Sequence, residues 1–124
     1  MAKILIVDDS QMTRNFHAYI LRAANFQVID AIDGADALEK IYRENDIDCV
    51  ITDVNMPNMD GFTMIRKIRS EQTFSTLPII IATTLDAAND KKEGFKAGAN
   101  FYLVKPVKPS VLIESVRMAI GREC

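Results

Sequence analysis

Five short apolar runs recur along the chain: Ile4-Leu5-Ile6-Val7, Val28-Ile29, Val50-Ile51, Ile79-Ile80-Ile81 and Tyr102-Leu103-Val104. Each is too short for a helix, and the first and fourth are continuously apolar rather than alternating. That pattern belongs to strands buried on both faces, as in a parallel sheet lying between layers of helices. With 124 residues, 48% of them apolar, the chain suffices for one such domain with its own core. We therefore read residues 1–124 as a single α/β domain, a doubly wound five-stranded parallel sheet with helices on both faces.

The segments between the runs carry helical spacing. Ser10 is a plausible N-cap for a first helix, in which Met12, Phe16, Tyr19, Ile20 and Ala23 form the expected buried stripe. Ala37, Leu38, Ile41 and Tyr42 define the second helix. Phe62, Ile65 and Ile68 define the third, opened by Asp60-Gly61. The fourth, from about Asp86 to Ala97, is the weakest, because Asp90-Lys91-Lys92-Glu93 leaves few apolar anchors. The fifth starts near Pro109-Ser110, where proline suits a first helical turn, and buries Leu112, Val116, Ala119 and Ile120. Val111, Ser115 and Met118 are expected on a different face of that helix, available to a partner.

Composition narrows the function. The net charge of -2, with mixed signs throughout, offers no basic stripe for direct nucleic-acid binding. The apolar run after Met1-Ala2-Lys3 is too short for a signal peptide or a membrane span. Cys49 and Cys124 form neither a disulfide framework nor a metal cluster. The expectation is a cytoplasmic protein without a membrane or nucleic-acid partner.

Open doubly wound sheets bind ligands beyond the carboxyl ends of their strands, where strand order reverses. In the flavodoxin-like order 2-1-3-4-5, which is borrowed from known proteins, that point lies between strands 1 and 3. Strand 1 ends at Asp8-Asp9 and strand 3 at Asp53. Three carboxylates brought together repel one another unless a cation compensates, and an oxygen-rich set with room for water and phosphate suits Mg2+. Strand 4 ends at Thr83 and strand 5 at Lys105, which place a hydroxyl and an ammonium at the same edge, around the position an oxyanion would take. Taken singly, each has a plainer role: helix cap, β-former or solvated charge.

The run from Asp53 through Asn55, Met56 and Pro57 to Asp60-Gly61, and the run from Gly98 to Lys105-Pro106, resemble the two signature segments of response-regulator receiver domains. The likeness covers essentially the whole chain, and its single-domain length is similar to the chemotaxis members. The resemblance implies that Asp53 is the phosphoacceptor for a phosphohistidine carried by a histidine kinase or histidine phosphotransfer protein. It implies that Asp8, Asp9, Asp53 and the Asn55 backbone carbonyl hold Mg2+. Thr83 and Lys105 would contact the phosphoryl group, Thr83 and Tyr102 would form the switch, and the Lys105-Pro106 bond would be cis.

On this resemblance the output surface is helix 4, strand 5 and helix 5, and the partner is a downstream effector protein. A flagellar motor switch, a phosphorelay step and a separate effector are each compatible with the sequence. Asn55 and Leu85 occupy positions that tune acyl-phosphate lifetime. Leu85 stands where the enteric chemotaxis members have an acidic residue, which implies slower self-dephosphorylation. Ser115 stands where one dimerising subfamily has an arginine, so a monomer is expected. His17, off the apolar stripe, is expected to be a solvated surface residue.

Three rival readings compete with this one. A phosphatase of the haloacid-dehalogenase type needs a second Asp two residues after its nucleophile, and here that position is Asn55. A receiver-fold interaction module that is never phosphorylated would not require the full set Asp8, Asp9, Asp53, Thr83 and Lys105. Flavodoxin-like cofactor binding fares worse, because Asp8-Asp9-Ser10-Gln11 is anionic where a phosphate cradle should be positive.

Overall fold

In a computed structural model that describes residues 1–121, five strands alternate with five α-helices. In chain order these are β1 (Lys3–Val7), α1 (Gln11–Ala23), β2 (Gln27–Ala31), α2 (Gly34–Glu44), β3 (Cys49–Thr52) and α3 (Gly61–Ser70). Then come β4 (Ile79–Thr83), α4 (Ala88–Ala97), β5 (Phe101–Val104) and α5 (Pro109–Gly121). A 3-10 turn at Gln72–Phe74, which no apolar period announced, links α3 to β4. All strand pairs are parallel, in the order β2-β1-β3-β4-β5. The fold is thus the expected doubly wound one. Cys124 lies outside the described residues.

The apolar runs are explained by the two layers they separate. Leu5 and Val7 of β1 pack with Ile79 and Ile81 of β4 beneath α2 and α3. Ile4 and Ile6 turn to the other side, where Ile51, Ile80 and Ala82 meet Leu21 of α1 and Leu112 and Val116 of α5. Successive residues of a strand point to opposite faces, so a strand covered twice is apolar at every position. Each fully buried Leu or Ile contributes about 1.5–3 kcal/mol by leaving water.

Helix starts follow their caps. The side chains of Ser10, Asp33 and Asp60 accept hydrogen bonds from the backbone N–H groups of Thr13, Asp36 and Thr63, opening α1, α2 and α3. The fourth helix has Ala87 at its N-cap and no side-chain cap, and it begins two residues later than expected. Without a cap, its first N–H groups have no side-chain acceptor, which delays the first turn.

Three expectations about faces are corrected. On α1, Met12, Phe16, Tyr19 and Ala23 are exposed, and the buried residues are His17, Ala18, Ile20 and Leu21. The helix is apolar on two stripes, and the one containing Ala18 and Leu21 faces the sheet, where small and branched side chains allow close approach. Tyr42 of α2 is also exposed, with its ring against Phe74. Ser115 of α5 is buried beside Val116, whereas Val111 and Met118 are exposed as expected.

Candidate functional site

The carboxyl ends of β1 and β3 lie side by side, because Val7 pairs with Thr52. The residues that follow, Asp8, Asp9 and Asp53, each offer a carboxylate oxygen, and these oxygens lie within 4.8 Å of one another. Asp8 is buried, Asp53 half-buried and Asp9 exposed, so the cluster opens to solvent on one side. Backbone N–H groups hold two of the carboxylates. Ser10 donates to Asp8 Oδ1 at 2.9 Å, and Val54 donates to Asp53 Oδ1 at 2.6 Å.

Lys105 arrives from the end of β5. Its Nζ lies 2.7 Å from Asp8 Oδ2 and 3.0 Å from Asp53 Oδ2. Burial alone would lower the pKa of this ammonium; its hydrogen bonds to Asp8 and Asp53, and their charges, outweigh burial and hold it above its ordinary value. The Lys105-Pro106 bond is cis, as expected. Thr83, buried at the end of β4, accepts the backbone N–H of Lys105 on its carbonyl at 2.8 Å. Asn55 is exposed on the loop after Asp53.

That loop is shaped by one close approach. The Gly61 N–H donates to the Val54 carbonyl at 2.8 Å, and a Cβ at Gly61 would lie 2.2 Å from the Asp53 carbonyl oxygen. No other residue fits there without moving the acidic strand end.

Three carboxylates face one ammonium, a local excess of two negative charges. The donors are all hard oxygens and the open side leaves room for water, so the residues present fit a hard divalent cation. The guanidinium of Arg14 does not alter this balance, because its Nη1 donates to the Asp8 backbone carbonyl and its Nε pairs with Asp30.

Leu85 and Tyr102 meet through the backbone. The Tyr102 hydroxyl donates to the Leu85 carbonyl at 2.9 Å, and the Leu85 N–H reaches Thr83 Oγ1 at 3.4 Å. Burial first, then the charges of Asp90 and Asp53, push the Tyr102 phenol above its ordinary pKa. Reading Leu85 only for its side chain missed this bridge, which no residue type could reveal.

The expectation for His17 is overturned: it is 4% exposed, beneath a groove whose lining includes Met12, Phe16, Lys105 and Pro106. Burial, followed by the charge of Lys105, pushes its pKa below the ordinary 6.5 against the opposing pull of Asp8 and Asp53. Its spacing three and four residues before Ile20 and Leu21 puts it on their face, a signal masked by the competing stripe of Met12, Phe16 and Tyr19.

The family model for the response regulator receiver domain matches residues 4–117. The chain belongs to that family. This receiver is 38% identical over 120 residues to chemotaxis protein CheY1 of Helicobacter pylori, covering 96% of this chain and 97% of that protein. It superposes on the solved structure of chemotaxis protein CheY4 of Vibrio cholerae with a TM-score of 0.90 and 37% identity, covering 96% and 98% of the two chains. It is also 36% identical over 116 residues to the response regulator PleD of Caulobacter vibrioides, 94% of this chain but 25% of that larger protein. The receiver is thus a CheY-like signalling domain. Among the described residues, no helix is long and apolar enough to cross a membrane.

Proposed function

We propose that this receiver, acting as a unit over residues 1–124, accepts a phosphoryl group on Asp53 from a phosphohistidine of a histidine kinase or phosphotransfer protein. The observation that carries the reading is the convergence of Lys105 on Asp53 and Asp8 within a three-carboxylate cluster. An Asp53 carboxylate oxygen attacks phosphorus, the N–P bond breaks, and the imidazole leaves with its electron pair. An acyl phosphate results, which water later hydrolyses back to the carboxylate and phosphate.

Such transfers pass through a loose transition state, so positioning and charge neutralisation are what a protein supplies. Lys105, already at hydrogen-bond distance from the accepting carboxylate, is in place to stabilise the phosphoryl oxygens. Asp8, Asp9, Asp53 and the Asn55 carbonyl would hold Mg2+, which supplies further neutralisation of those oxygens. Exposed Met12 and Phe16 beside Lys105 offer the donor an apolar rim.

The response is read from Thr83. When its hydroxyl turns to the phosphoryl group it releases the Leu85 N–H, and Leu85 also holds Tyr102. The change then reaches α4, β5 and α5, where exposed Phe95, Val111 and Met118 form a surface for an effector protein. Chemotaxis, a flagellar motor switch included, is the favoured pathway because the chemotaxis proteins of Helicobacter pylori and Vibrio cholerae are matched over nearly their whole length. A cytoplasmic, monomeric receiver is the accompanying expectation.

The test is an NMR titration of backbone amides, first with Mg2+ and then with beryllofluoride, a mimic of the acyl phosphate. Shifts confined to Asp8, Asp9 and Asp53 with Mg2+, spreading to Thr83 and Tyr102 with beryllofluoride, are expected. A protein that ignores both would be a receiver-fold interaction module instead.

A further inference from the structure

The least supported helix of the fold carries a glycine in its interior. Gly94 is buried in α4, a helix that already lacks a side-chain N-cap, and glycine weakens a helix interior further. Its backbone does not call for glycine, since the only glycine with positive φ is Gly98 among the described residues. Space does call for it. An ideal Cβ at Gly94 would lie 2.8 Å from Ile81 Cδ1 and 3.0 and 3.1 Å from Tyr102 Cδ2 and Cε2.

The two neighbours differ in their freedom to yield. The Ile81 methyl is the end of a flexible side chain. The Tyr102 ring is held at both ends: its backbone pairs with Ile81 in the sheet, and its hydroxyl donates to the Leu85 carbonyl. Phe95 lies beyond it, 51% exposed, with ring centroids 6.3 Å apart. A methyl group at position 94 would push the Ile81 methyl aside and crowd the Tyr102 ring, which must give by a few tenths of an ångström against its hydrogen bond to Leu85.

We propose that Gly94 is a positioning residue for Tyr102, and that the missing side chain sets the balance between a packed and an outward Tyr102 before any phosphoryl group arrives. This rests on the switch reading given above and adds to it the element that biases the resting state. The helix is weak at this point because the ring occupies the volume a helix-favouring side chain would fill.

The experiment is fluorine NMR of protein labelled with 3-fluorotyrosine. The sequence has three tyrosines, and Tyr102→Phe assigns the resonance. Tyr19, 74% exposed, serves as an internal reference for a solvated ring. Gly94→Ala is expected to shift the Tyr102 resonance toward that of Tyr19. Ala87→Ser, which supplies the missing cap without approaching Tyr102, is expected to leave it in place.

Should Gly94→Ala fold poorly, Gly94→Ala with Ile81→Val removes the Ile81 Cδ1 contact and keeps the ring contact, so the displacement should persist. An unmoved Tyr102 resonance in a folded Gly94→Ala protein, or an equal displacement by Ala87→Ser, would overturn the proposal. The spectra are taken without phosphodonor. A beryllofluoride-responsive protein whose Tyr102 ignores Gly94→Ala defeats this proposal alone, whereas a beryllofluoride-inert protein defeats the phosphoacceptor reading while the Tyr102 position stays readable.

Discussion

The carboxyl ends of β1 and β3 and the α4–β5 edge lie in one molecule but are built in opposite ways. Around Asp53 the strands are covered on both faces, Asp8 and Asp53 are each held by a backbone N–H and by Lys105, and Gly61 presses the following loop against the strand end. At the edge, β5 is only half-buried along its length, α4 lacks a side-chain cap and contains Gly94, and Phe95 stands exposed. Reacting groups need to be held in place, whereas an element that must respond needs a low cost of rearrangement. Thr83 and Leu85 join the two regions.

The largest effect expected comes from removing the charge that organises the rigid region. Lys105→Met should slow acyl-phosphate formation on Asp53 about a hundredfold, the order seen when a preorganised electrostatic donor is lost. Rates with a small phosphodonor in excess Mg2+ would measure it. A rate unchanged within a factor of two would mean that Lys105 only neutralises the resting carboxylates.

At the junction, Leu85 has no side-chain group to orient a water. Leu85→Glu should speed loss of the phosphoryl group about fivefold, the worth of one hydrogen bond of ~1 kcal/mol. Decay of the labelled protein after removal of donor measures this. Decay at the original rate or slower would remove Leu85 from control of lifetime.

On the soft side, amide hydrogen exchange in α4 should proceed through local opening, while β1 and β3 exchange only on global unfolding. Ala87→Ser adds the absent cap, worth ~1 kcal/mol, and should raise protection in α4 about fivefold without changing that of β1. Equal protection in α4 and β1 of the unaltered protein would erase the contrast.

How much of this was legible in the sequence depends on which residues are considered. Strand ends are marked by the step from apolar to acidic, as at Val7-Asp8 and Thr52-Asp53, so the sheet and the carboxylate cluster could be read directly. The buried face of α1 could not, because Met12, Phe16 and Tyr19 form a second stripe of large, mostly apolar side chains, and periodicity does not say which of two stripes meets the sheet. His17 was misplaced for that reason. The Leu85 bridge and the space at Gly94 are backbone and packing features, for which residue identity is a weak signal.

The smallest effect follows from that misplaced histidine. With its pKa below the ordinary 6.5 in the folded state, His17 binds protons more readily in the unfolded chain. Its contribution to stability is therefore intact above pH 6.5 and declines as pH falls below that value, levelling off beneath the folded pKa. In denaturant unfolding at pH 7 and pH 5, His17→Val should lose less stability on acidification than the unaltered protein. Identical losses would place His17 in water after all.

The most direct test of the account is mass spectrometry of the intact protein after exposure to a small phosphodonor with Mg2+. A single phosphoryl adduct is predicted, dependent on Mg2+ and absent from Asp53→Asn. An adduct of equal yield in Asp53→Asn, or none in the unaltered protein, would contradict it.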